Sequence, residues 1–261
     1  MRIGVLSDVH GNLEALEAVL RDADKQSIEK LVCLGDIVGY GANPVECLRI
    51  MRKRKMSCVA GNHDRVVLDF CAGREVEDMN SLAFKGVLYS AEKLHKSHLN
   101  FLKKLPYTLK IENLLFAHAN IHCPEEFDYL DYKGFLNIDS FSGGSISKSF
   151  EFLENGQRLF IGHTHTPFRI TNKKGFLQSF GALSFAPIYG SSFREYEKVI
   201  CNVGSVGQPR DEIPKACYVV YDSIKDEAET RRVEYNVEKA GRKIEEAGLP
   251  KELASRLRFG E

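Results

Sequence analysis

The sequence RIGVLSDVHGN at residues 2–12 decides the fold, because an apolar run in it ends directly in an acidic residue and a histidine. The arrangement returns twice, as LVCLGD at residues 31–36 and as MSCVAGNHD at residues 56–64. Each short apolar run is typical of a buried strand, and the segments between the runs carry apolar residues at helical spacing. Strands that alternate with helices predict a parallel sheet with right-handed crossovers.

Beyond residue 105 the pattern changes to a series of short strands. Pro106 ends a helical region at residues 80–105, because proline cannot continue a helix. Two short apolar runs at residues 107–117 predict a hairpin. Further strands are predicted at residues 158–161, 168–171, 175–177, 198–202 and 216–221. The chain is therefore expected to be an α/β protein.

No linker, internal repeat or low-complexity stretch divides the chain, so we expect a single domain over residues 1–261. Residues 127–156 are interpreted as an insertion over the site that shapes specificity, and they contain a predicted helix at residues 146–153. Residues 237–259 predict two short C-terminal helices, separated by a glycine and a proline.

The composition argues against several classes of protein. The 36 basic residues balance 36 acidic ones, so no overall positive charge favours binding to nucleic acid or to a membrane surface. Seven cysteines without a Cys-x-x-Cys pair favour reduced thiols over disulfides or a zinc knuckle. Asp8 interrupts any apolar region of a signal peptide, and no apolar run reaches the roughly 18 residues of a membrane span. We therefore expect a cytoplasmic protein without membrane association.

Most of the distinctive polar residues lie in five short motifs, each directly after a predicted strand. The motifs contain Asp8 and His10, Asp36, the run Asn62, His63 and Asp64, then His118, and the pair His163 and His165. In open α/β sheets, ligands bind in the crevice beyond the carboxyl ends of the strands, so these side chains are expected to converge on one site. Taken singly, each motif is also compatible with a surface turn or a solvated strand. The prediction rests on their convergence.

The side chains in these motifs are carboxylates, imidazoles and one amide. This mixture of oxygen and nitrogen ligands suits manganese, iron or zinc better than calcium or magnesium, which prefer oxygen, and better than structural zinc, which prefers thiolate. A shared carboxylate would hold two ions about 3.5–4 Å apart, where one ion activates water and both withdraw charge from phosphoryl oxygens. The sequence therefore predicts hydrolysis of a phosphate bond at a dinuclear metal centre.

The order of the five motifs resembles the calcineurin-like metallophosphoesterase superfamily over residues 2–166. The sequence NVGSVGQPRD at residues 202–211 and the C-terminal tail are similar to a prokaryotic subfamily of single-domain phosphoesterases. This resemblance implies a four-layer α/β sandwich of two mixed β-sheets flanked by helices. It also implies two divalent metal ions, manganese or iron, with zinc or nickel as alternatives.

The resemblance further implies a role for each residue of the motifs. The first metal would be held by Asp8, His10 and His165, the second by Asn62, His118 and His163, and Asp36 would bridge them. His63 would be the acid that donates a proton to the leaving oxygen, and Asp64 would orient its ring. The attacking group would be a metal-bound hydroxide.

Two residues depart from the family pattern. Ala119 follows His118 where members commonly carry glycine, so a bulkier residue approaches the second metal and affects the fit of substrate there. Val203 stands where relatives often carry proline, which alters loop stiffness more than chemistry.

The substrate-binding residues have two interpretations each. Gly204 and Arg210 fit a phosphate-binding turn, in which a glycine allows close approach and an arginine grips the phosphate. The alternative is a structural turn in which Arg210 pairs with Asp211 or Glu212. Tyr40 either stacks on a base or lies in a flexible turn.

Together these features predict a metal-dependent phosphoesterase that hydrolyses a phosphodiester, a phosphomonoester or a dinucleoside polyphosphate. The expected partner is a phosphorylated small molecule or nucleotide, and the oligomeric state stays open. A nuclease is the first alternative, although the basic cluster at residues 49–55 is interpreted as the end of a solvated helix. A non-catalytic binding protein on the same fold is the second alternative, and the presence of every ligand and of His63 argues against it.

Overall fold

The computed structural model describes residues 1–76, 79–128, 145–173, 176–180, 191–194 and 196–261. Its helices are α1 (Leu13–Ala23), α2 (Pro44–Lys53), α3 (Asn62–Cys71), α4 (Ser81–Lys93), α5 (Lys96–Lys103), α6 (Ser145–Phe152), α7 (Val237–Glu246) and α8 (Lys251–Phe259). Its strands are β1 (Arg2–Leu6), β2 (Lys30–Cys33), β3 (Ser57–Cys58), β4 (Thr108–Ile111), β5 (Leu114–Ala117), β6 (Arg158–Ile161), β7 (Phe168–Lys173), β8 (Phe176–Phe180), β9 (Ser191–Ser192), β10 (Lys198–Asn202), β11 (Ala216–Asp222) and β12 (Glu227–Val233). None of the described helices combines the length and the apolar character that a membrane crossing requires.

Two expectations about the chain's organisation can be compared with these bounds. The predicted C-terminal helices at residues 237–259 coincide with α7 and α8. The proposed specificity insertion at residues 127–156 is described only in part, because residues 129–144 lie outside the described residues.

The described strands form two six-stranded mixed sheets. The first has the order β3-β2-β1-β11-β12-β9, in which β1, β2 and β3 run parallel and β11 pairs with β1 in the antiparallel sense. The second has the order β4-β5-β6-β10-β7-β8, in which β5, β6 and β10 run parallel and are flanked by antiparallel pairs. The parallel arrangement of β1, β2 and β3 agrees with the prediction from residues 2–64.

The two sheets pack face to face, and helices cover their outer faces. Val219 of the first sheet and Phe160 of the second lie in one buried cluster between the sheets. The next residue, Val220, points the other way and packs with Leu16 of α1, because successive side chains of a strand alternate between faces. On the outer face of the second sheet, Phe150 of α6 packs in a similar manner. These four layers confirm the predicted sandwich.

The sequence pattern does not predict α3 or β12. Helix α3 begins inside the Gly-Asn-His-Asp motif, where Asp64 accepts the backbone N–H of Gly61 and stabilises the first turn. Strand β12 is rich in charged residues, which strands usually disfavour. It pairs with β11 along its whole length, and its Arg231 forms an ion pair with Asp22. Long-range contacts therefore outweigh the local propensity of this segment.

An ion pair between the buried Arg158 and the half-buried Asp226 connects the start of β6 to the turn before β12. Arg158 Nη2 lies 2.7 Å from Asp226 Oδ2, and Tyr221 donates its hydroxyl to Asp226 at 2.5 Å. Burial by itself raises the pKa of Asp226, but the hydrogen bonds from Arg158 and Tyr221 outweigh burial and lower the pKa. The carboxylate therefore stabilises the folded chain in its ionised form.

We expect Asp226→Asn to lower the free energy of unfolding by about 3 kcal/mol at pH 7, because it leaves Arg158 buried without its counter-charge. Since folding lowers the pKa of Asp226, this stabilisation is present above the ordinary carboxyl pKa of about 4 and is lost as the pH falls through the folded pKa. Urea unfolding of the metal-free protein at several pH values measures the difference. The exposed Asp24→Asn serves as control, and equal stability of wild type and Asp226→Asn at pH 7 would contradict the expectation.

Candidate metal centre

The five motifs lie directly after strands of both sheets. Strands β1, β2 and β3 lead into the first three motifs, and β5 and β6 lead into the last two. The fold brings the candidate ligands of these motifs together, and all are buried except the half-buried Asn62: Asp8, His10, Asp36, Asn62, His118, His163 and His165. The ends of parallel strands from two sheets therefore supply one site.

Asp8, His10 and His165 form a first cluster, in which the ligand atoms lie within 4.8 Å of one another. His165 Nε2 lies 3.1 Å from His10 Nε2 and 3.4 Å from Asp8 Oδ1. Asp8 Oδ1 is buried and has no hydrogen-bond partner among the described residues. Two imidazole nitrogens and a carboxylate oxygen that converge in this way fit a divalent cation.

Asp36, His118 and His163 form a second cluster of the same kind. His118 Nε2 lies 3.1 Å from His163 Nδ1 and 3.0 Å from Asn62 Oδ1. Asp36 Oδ2 lies 3.5 Å from His118 Nε2, and it lies equally far, 3.5 Å, from His10 Nε2 of the first cluster. The Asp36 carboxylate therefore stands between the two clusters, which is the position that a bridging ligand requires.

His63 lies beside the centre and belongs to neither the first nor the second cluster. With His10 and Asp36 it forms a third group whose atoms meet the distance requirement for a metal site. Its Nε2 lies 4.0 Å from Asp36 Oδ2, farther than the nitrogens of the two clusters. Its ring packs against those of His10 and Tyr40, with 4.7 Å between centroids in both pairs. This position is compatible with a proton donor and with a ligand.

Backbone carbonyls fix the orientation of three of the imidazole rings. The Nδ1 atoms of His10, His118 and His165 lie 3.0, 2.7 and 2.5 Å from the carbonyl oxygens of Val38, Leu34 and Gln208, respectively. An Nδ1–H donated to each carbonyl leaves Nε2 as the lone-pair atom that faces the centre. These contacts cannot be predicted from residue types, because every residue has a backbone carbonyl.

The carboxylates approach the backbone so closely that two glycines of the motifs are required. A Cβ atom on Gly61 would overlap Asp36 Oδ1, and one on Gly162 would overlap Ser7 Oγ and lie 2.5 Å from Asp8 Oδ2. These approaches are far closer than real contacts of a Cβ atom. The glycines before Asn62 and His163 are therefore explained by space for the neighbouring side chains, the two carboxylates among them.

The backbone of the centre is strained. Five of the candidate ligands, Asp8, His10, Asp36, His163 and His165, have φ values of 54°, 48°, 49°, 66° and 61°. Residues other than glycine rarely adopt positive φ, and such strain persists only where the surrounding structure holds it. The centre is therefore held in place by the fold around it.

Burial and the neighbouring carboxylates shift the pKa values of the histidines of the centre in opposite directions. Burial alone would lower the pKa of His118, but the carboxylates of Asp36 and Asp8 outweigh burial and raise the pKa to about 9. Burial lowers the pKa of His63 to about 4 and that of His163 to about 3. The two buried carboxylates of Asp8 and Asp36 therefore favour positive charge at the centre, which the protonated His118 supplies in part and bound divalent cations would supply in full.

Asp64 bonds to backbone groups rather than to the His63 ring. Its Oδ1 accepts the N–H groups of Ile37 and Val38 at 3.0 and 3.3 Å, and its Oδ2 accepts that of Gly61 at 3.1 Å. The expectation that Asp64 orients the His63 ring is corrected by these contacts. Asp64 instead fixes the loop that follows Asp36.

Arg210 lies at the edge of the centre, where it is half-buried. Its Nη2 donates to Gln208 Oε1 at 2.9 Å and to Tyr40 Oη at 3.3 Å. Its Nε is buried without a hydrogen-bond partner among the described residues. Burial lowers the pKa of His165, and the charge of Arg210 adds to this effect. Through Tyr40, which packs against His10 and His63, Arg210 borders the centre.

The contacts of Gly204 and Asp211 bear on the alternatives for the turn around Arg210. Gly204 has a φ of 72°, and a Cβ atom there would lie 2.8 Å from Cys217 Sγ, so packing within the chain explains the glycine. Asp211 forms its ion pair with Arg232. The structure thus supports a structural role for Gly204, and it gives Asp211 a partner other than Arg210.

Tyr40 is 8% exposed and belongs to the packing of the centre. Its ring contacts His10 and His63 at 4.7 Å between centroids, and it shares a buried cluster with Leu253 and Leu257 of α8. A ring enclosed in this way is neither part of a flexible turn nor an open face for a base. Tyr40 therefore supports the two histidine rings.

Comparisons with known proteins agree with this geometry. Residues 1–226 match the calcineurin-like phosphoesterase superfamily domain. The chain is 39% identical over 265 residues to an uncharacterised protein of Methanocaldococcus jannaschii, and the aligned region covers 99% of this chain and 98% of that protein. It is similar in structure to a metallophosphoesterase from Sphaerobacter thermophilus, with a TM-score of 0.76, 31% identity and 100% of both chains covered. A putative diadenosine tetraphosphatase has the same fold, with a TM-score of 0.54, 16% identity, and 90% of this chain and 95% of that chain covered.

The match extends over most of the chain, and the two mixed sheets with their polar strand ends accord with it. The chain therefore belongs to the calcineurin-like phosphoesterase superfamily, a family of metal-dependent phosphoric ester hydrolases.

Proposed function

We propose that the chain is a phosphoesterase that depends on a dinuclear metal centre. The observation that carries the proposal is the position of Asp36 Oδ2, 3.5 Å from a histidine nitrogen of each cluster. A carboxylate placed between two sets of ligands can bridge two cations. One ion would be held by Asp8, His10 and His165, and the other by Asn62, His118 and His163.

The donor set favours manganese or iron as the two divalent ions, with zinc or nickel as alternatives. When bound, such ions activate water and withdraw charge from phosphoryl oxygens. The residues of the chain supply the geometry of the reaction. Asp36 sets the separation of the two sites, and the backbone carbonyls behind the histidines keep each Nε2 directed at the centre.

We further propose that His63 protonates the leaving oxygen. The residue is 4% exposed, and its ring is held between those of His10 and Tyr40. A ring fixed in this way would present its proton at a constant position once the negative charge of a bound phosphate raises the pKa of His63, and general acid catalysis requires both. Asp64 supports the arrangement from a distance, since it fixes the loop that follows Asp36.

The proposed substrate is a phosphorylated small molecule or a nucleotide. The candidates are a phosphodiester, a phosphomonoester and a dinucleoside polyphosphate, and the shared fold of a putative diadenosine tetraphosphatase keeps the last in this group. Assays of all three ester types with manganese, iron and magnesium in turn would rank them. If the protein binds the ions but hydrolyses none of these esters, the result would favour a binding protein over an enzyme.

Arg210 is the proposed contact for the substrate phosphate. We expect Arg210→Ala to raise KM about 10- to 100-fold, because a hydrogen bond to a charged group is worth about 1.5–3 kcal/mol. Arg210→Lys keeps the charge but loses the planar fork, so its KM should lie between those of wild type and Arg210→Ala. Steady-state kinetics with the best ester measure both, and bound metal should stay unchanged.

The matched control for Arg210 is Arg258→Ala, which removes an arginine from an ion pair with Glu238 on the helical surface. We expect its KM to equal that of wild type. A KM of Arg210→Ala that also equals the wild-type value would exclude Arg210 from substrate binding.

A nuclease remains the alternative within the same class of enzymes. The basic cluster at residues 49–55 includes Arg52 and Lys53 in the last turn of α2, where cations interact favourably with the helix dipole. This placement accounts for the cluster without nucleic acid. Retention on heparin together with cutting of single-stranded DNA would favour the nuclease.

We also propose that residues 1–261 form one domain in the cytoplasm. Support for the single domain comes from Lys243 of α7, whose Nζ lies 2.7 Å from Glu14 Oε1 of α1. The C-terminal helices also share a buried cluster with Tyr40 and Ala83. The location rests on the sequence, as stated above.

A further inference from the structure

The segment at residues 202–208 bonds to several parts of the proposed metal centre, although it contributes no proposed ligand. Ser205 is fully buried, and its hydroxyl donates to the carbonyl oxygen of Asp8 at 2.9 Å. The backbone N–H of Gly207 donates to the same carbonyl, also at 2.9 Å. Two donors thus hold the carbonyl of a ligand whose φ is 54°. The strained conformation of Asp8 is therefore stabilised by this segment.

The second contact of Ser205 leads to another ligand. Ser205 Oγ accepts the backbone N–H of Gln208 at 2.9 Å, and this bond closes the turn that places the Gln208 carbonyl. The carbonyl in turn lies 2.5 Å from His165 Nδ1. One hydroxyl therefore connects the backbone of Asp8 with the group that orients His165. Both ligands belong to the same proposed ion.

Asn202 fixes the other end of the segment and is also fully buried. Its Nδ2 donates to the carbonyl of Gly162 at 2.6 Å and to Thr164 Oγ1 at 3.0 Å, while its Oδ1 accepts the N–H of Gly204 at 2.9 Å. Gly162 and Thr164 flank His163 in the sequence. The loop that carries both histidines of the last motif is therefore bonded to the segment.

We propose that residues 202–208 are a positioning element for the ion held by Asp8, His10 and His165, and that Ser205 is its central positioning residue. The inference rests on the proposed dinuclear centre. Ser205→Ala would leave the Asp8 carbonyl with one donor and would remove the side-chain acceptor of the Gln208 N–H. We expect the affinity for that ion to fall about 10- to 100-fold, the usual effect of removing a group that orients a ligand.

The inference is tested by calorimetry of Mn²⁺ binding to the metal-free full-length chain. Each binding site is measured alone, in a variant that lacks a ligand of the other site. Asn62→Ala removes a ligand of the second ion, and His165→Ala removes a ligand of the first. Added to Asn62→Ala, Ser205→Ala should weaken the remaining binding step about 10- to 100-fold. Added to His165→Ala, it should change the remaining step less than about threefold.

The matched control is Ser149→Ala, because Ser149 is also fully buried and its hydroxyl lies 3.3 Å from His122 Nδ1, outside the centre. This control should leave both binding steps unchanged. Ser205→Cys keeps a side chain of similar volume with a weak donor, so it should weaken binding of the first ion less than Ser205→Ala does. It replaces the alanine variant should that protein not fold.

The outcomes distinguish failure of the positioning role of Ser205 from failure of the proposed dinuclear centre. A general structural defect would weaken the binding of both ions equally. Such a result for Ser205→Ala would overturn the inference. So would the absence of any effect in either background. A wild-type chain that binds fewer than two Mn²⁺ ions would refute the dinuclear centre itself, and the positioning role would fall with it.

Discussion

Asp36→Asn is expected to reduce kcat/KM for phosphoester hydrolysis at least about 1,000-fold, which corresponds to a loss of about 4 kcal/mol in the transition state. The amide keeps the shape of the side chain and can still accept the backbone N–H of His63, which now bonds to Asp36 Oδ1 at 2.9 Å. It lacks the negative charge that would hold two cations together in the proposed centre. The measurement is manganese-dependent release of nitrophenol from a generic diester, together with the number of ions bound.

The number of bound Mn²⁺ ions should fall below two in Asp36→Asn, while circular dichroism should show an unchanged fold. Asp69→Asn is the control, since Asp69 pairs with Arg74 at the exposed end of α3. We expect this control to keep wild-type activity. Full activity of Asp36→Asn would exclude a bridging role for the carboxylate.

His63→Ala is expected to lower kcat about 100- to 10,000-fold for esters with alkyl leaving groups, because such groups need a proton as they depart. The effect on nitrophenyl esters should be much smaller, since nitrophenolate leaves without a proton. The protein should still bind two Mn²⁺ ions. Parallel assays of an alkyl and a nitrophenyl ester, with metal analysis of the same samples, measure all three quantities.

This comparison also decides between the two positions open to His63. The residue belongs to a group with His10 and Asp36 whose atoms could hold an ion. Loss of a bound ion from His63→Ala would therefore assign it as a ligand. Equal loss of activity for both leaving groups would rule out proton donation. His10→Ala provides the reference for the loss of a proposed ligand, because this variant should bind fewer ions and lose activity with both esters.

The fold and the convergence of the motifs are predictable from the sequence because the decisive signals are local. The apolar run before Asp8 pairs in the structure with the run before Asp36, and β1, β2 and β3 are parallel as their alternation with helices indicates. Parallel neighbours end at the same edge of a sheet, so residue types at strand ends predict the site. Gly61 and Gly162 of these motifs leave room for the carboxylates of Asp36 and Asp8.

The supporting contacts cannot be predicted in this way, since they join segments far apart in the sequence. Ser205 and Asp8 are 197 residues apart, and no local pattern connects them. Asp64 stands next to His63 in sequence, yet its Oδ1 accepts backbone N–H groups 26 and 27 residues earlier. Tyr40 reads as a turn residue between two glycines, whereas packing against α8 encloses it. Tertiary contacts decide the role of each.

The most direct test of the dinuclear centre is a crystal structure of the manganese-loaded chain with anomalous diffraction data collected at the manganese edge. We predict two anomalous peaks about 3.5–4 Å apart, both in contact with Asp36. Asp8, His10 and His165 should contact one peak, the other should lie against Asn62, His118 and His163, and His63 should contact neither. A single peak, or two peaks that do not share Asp36, would contradict the centre proposed for this chain.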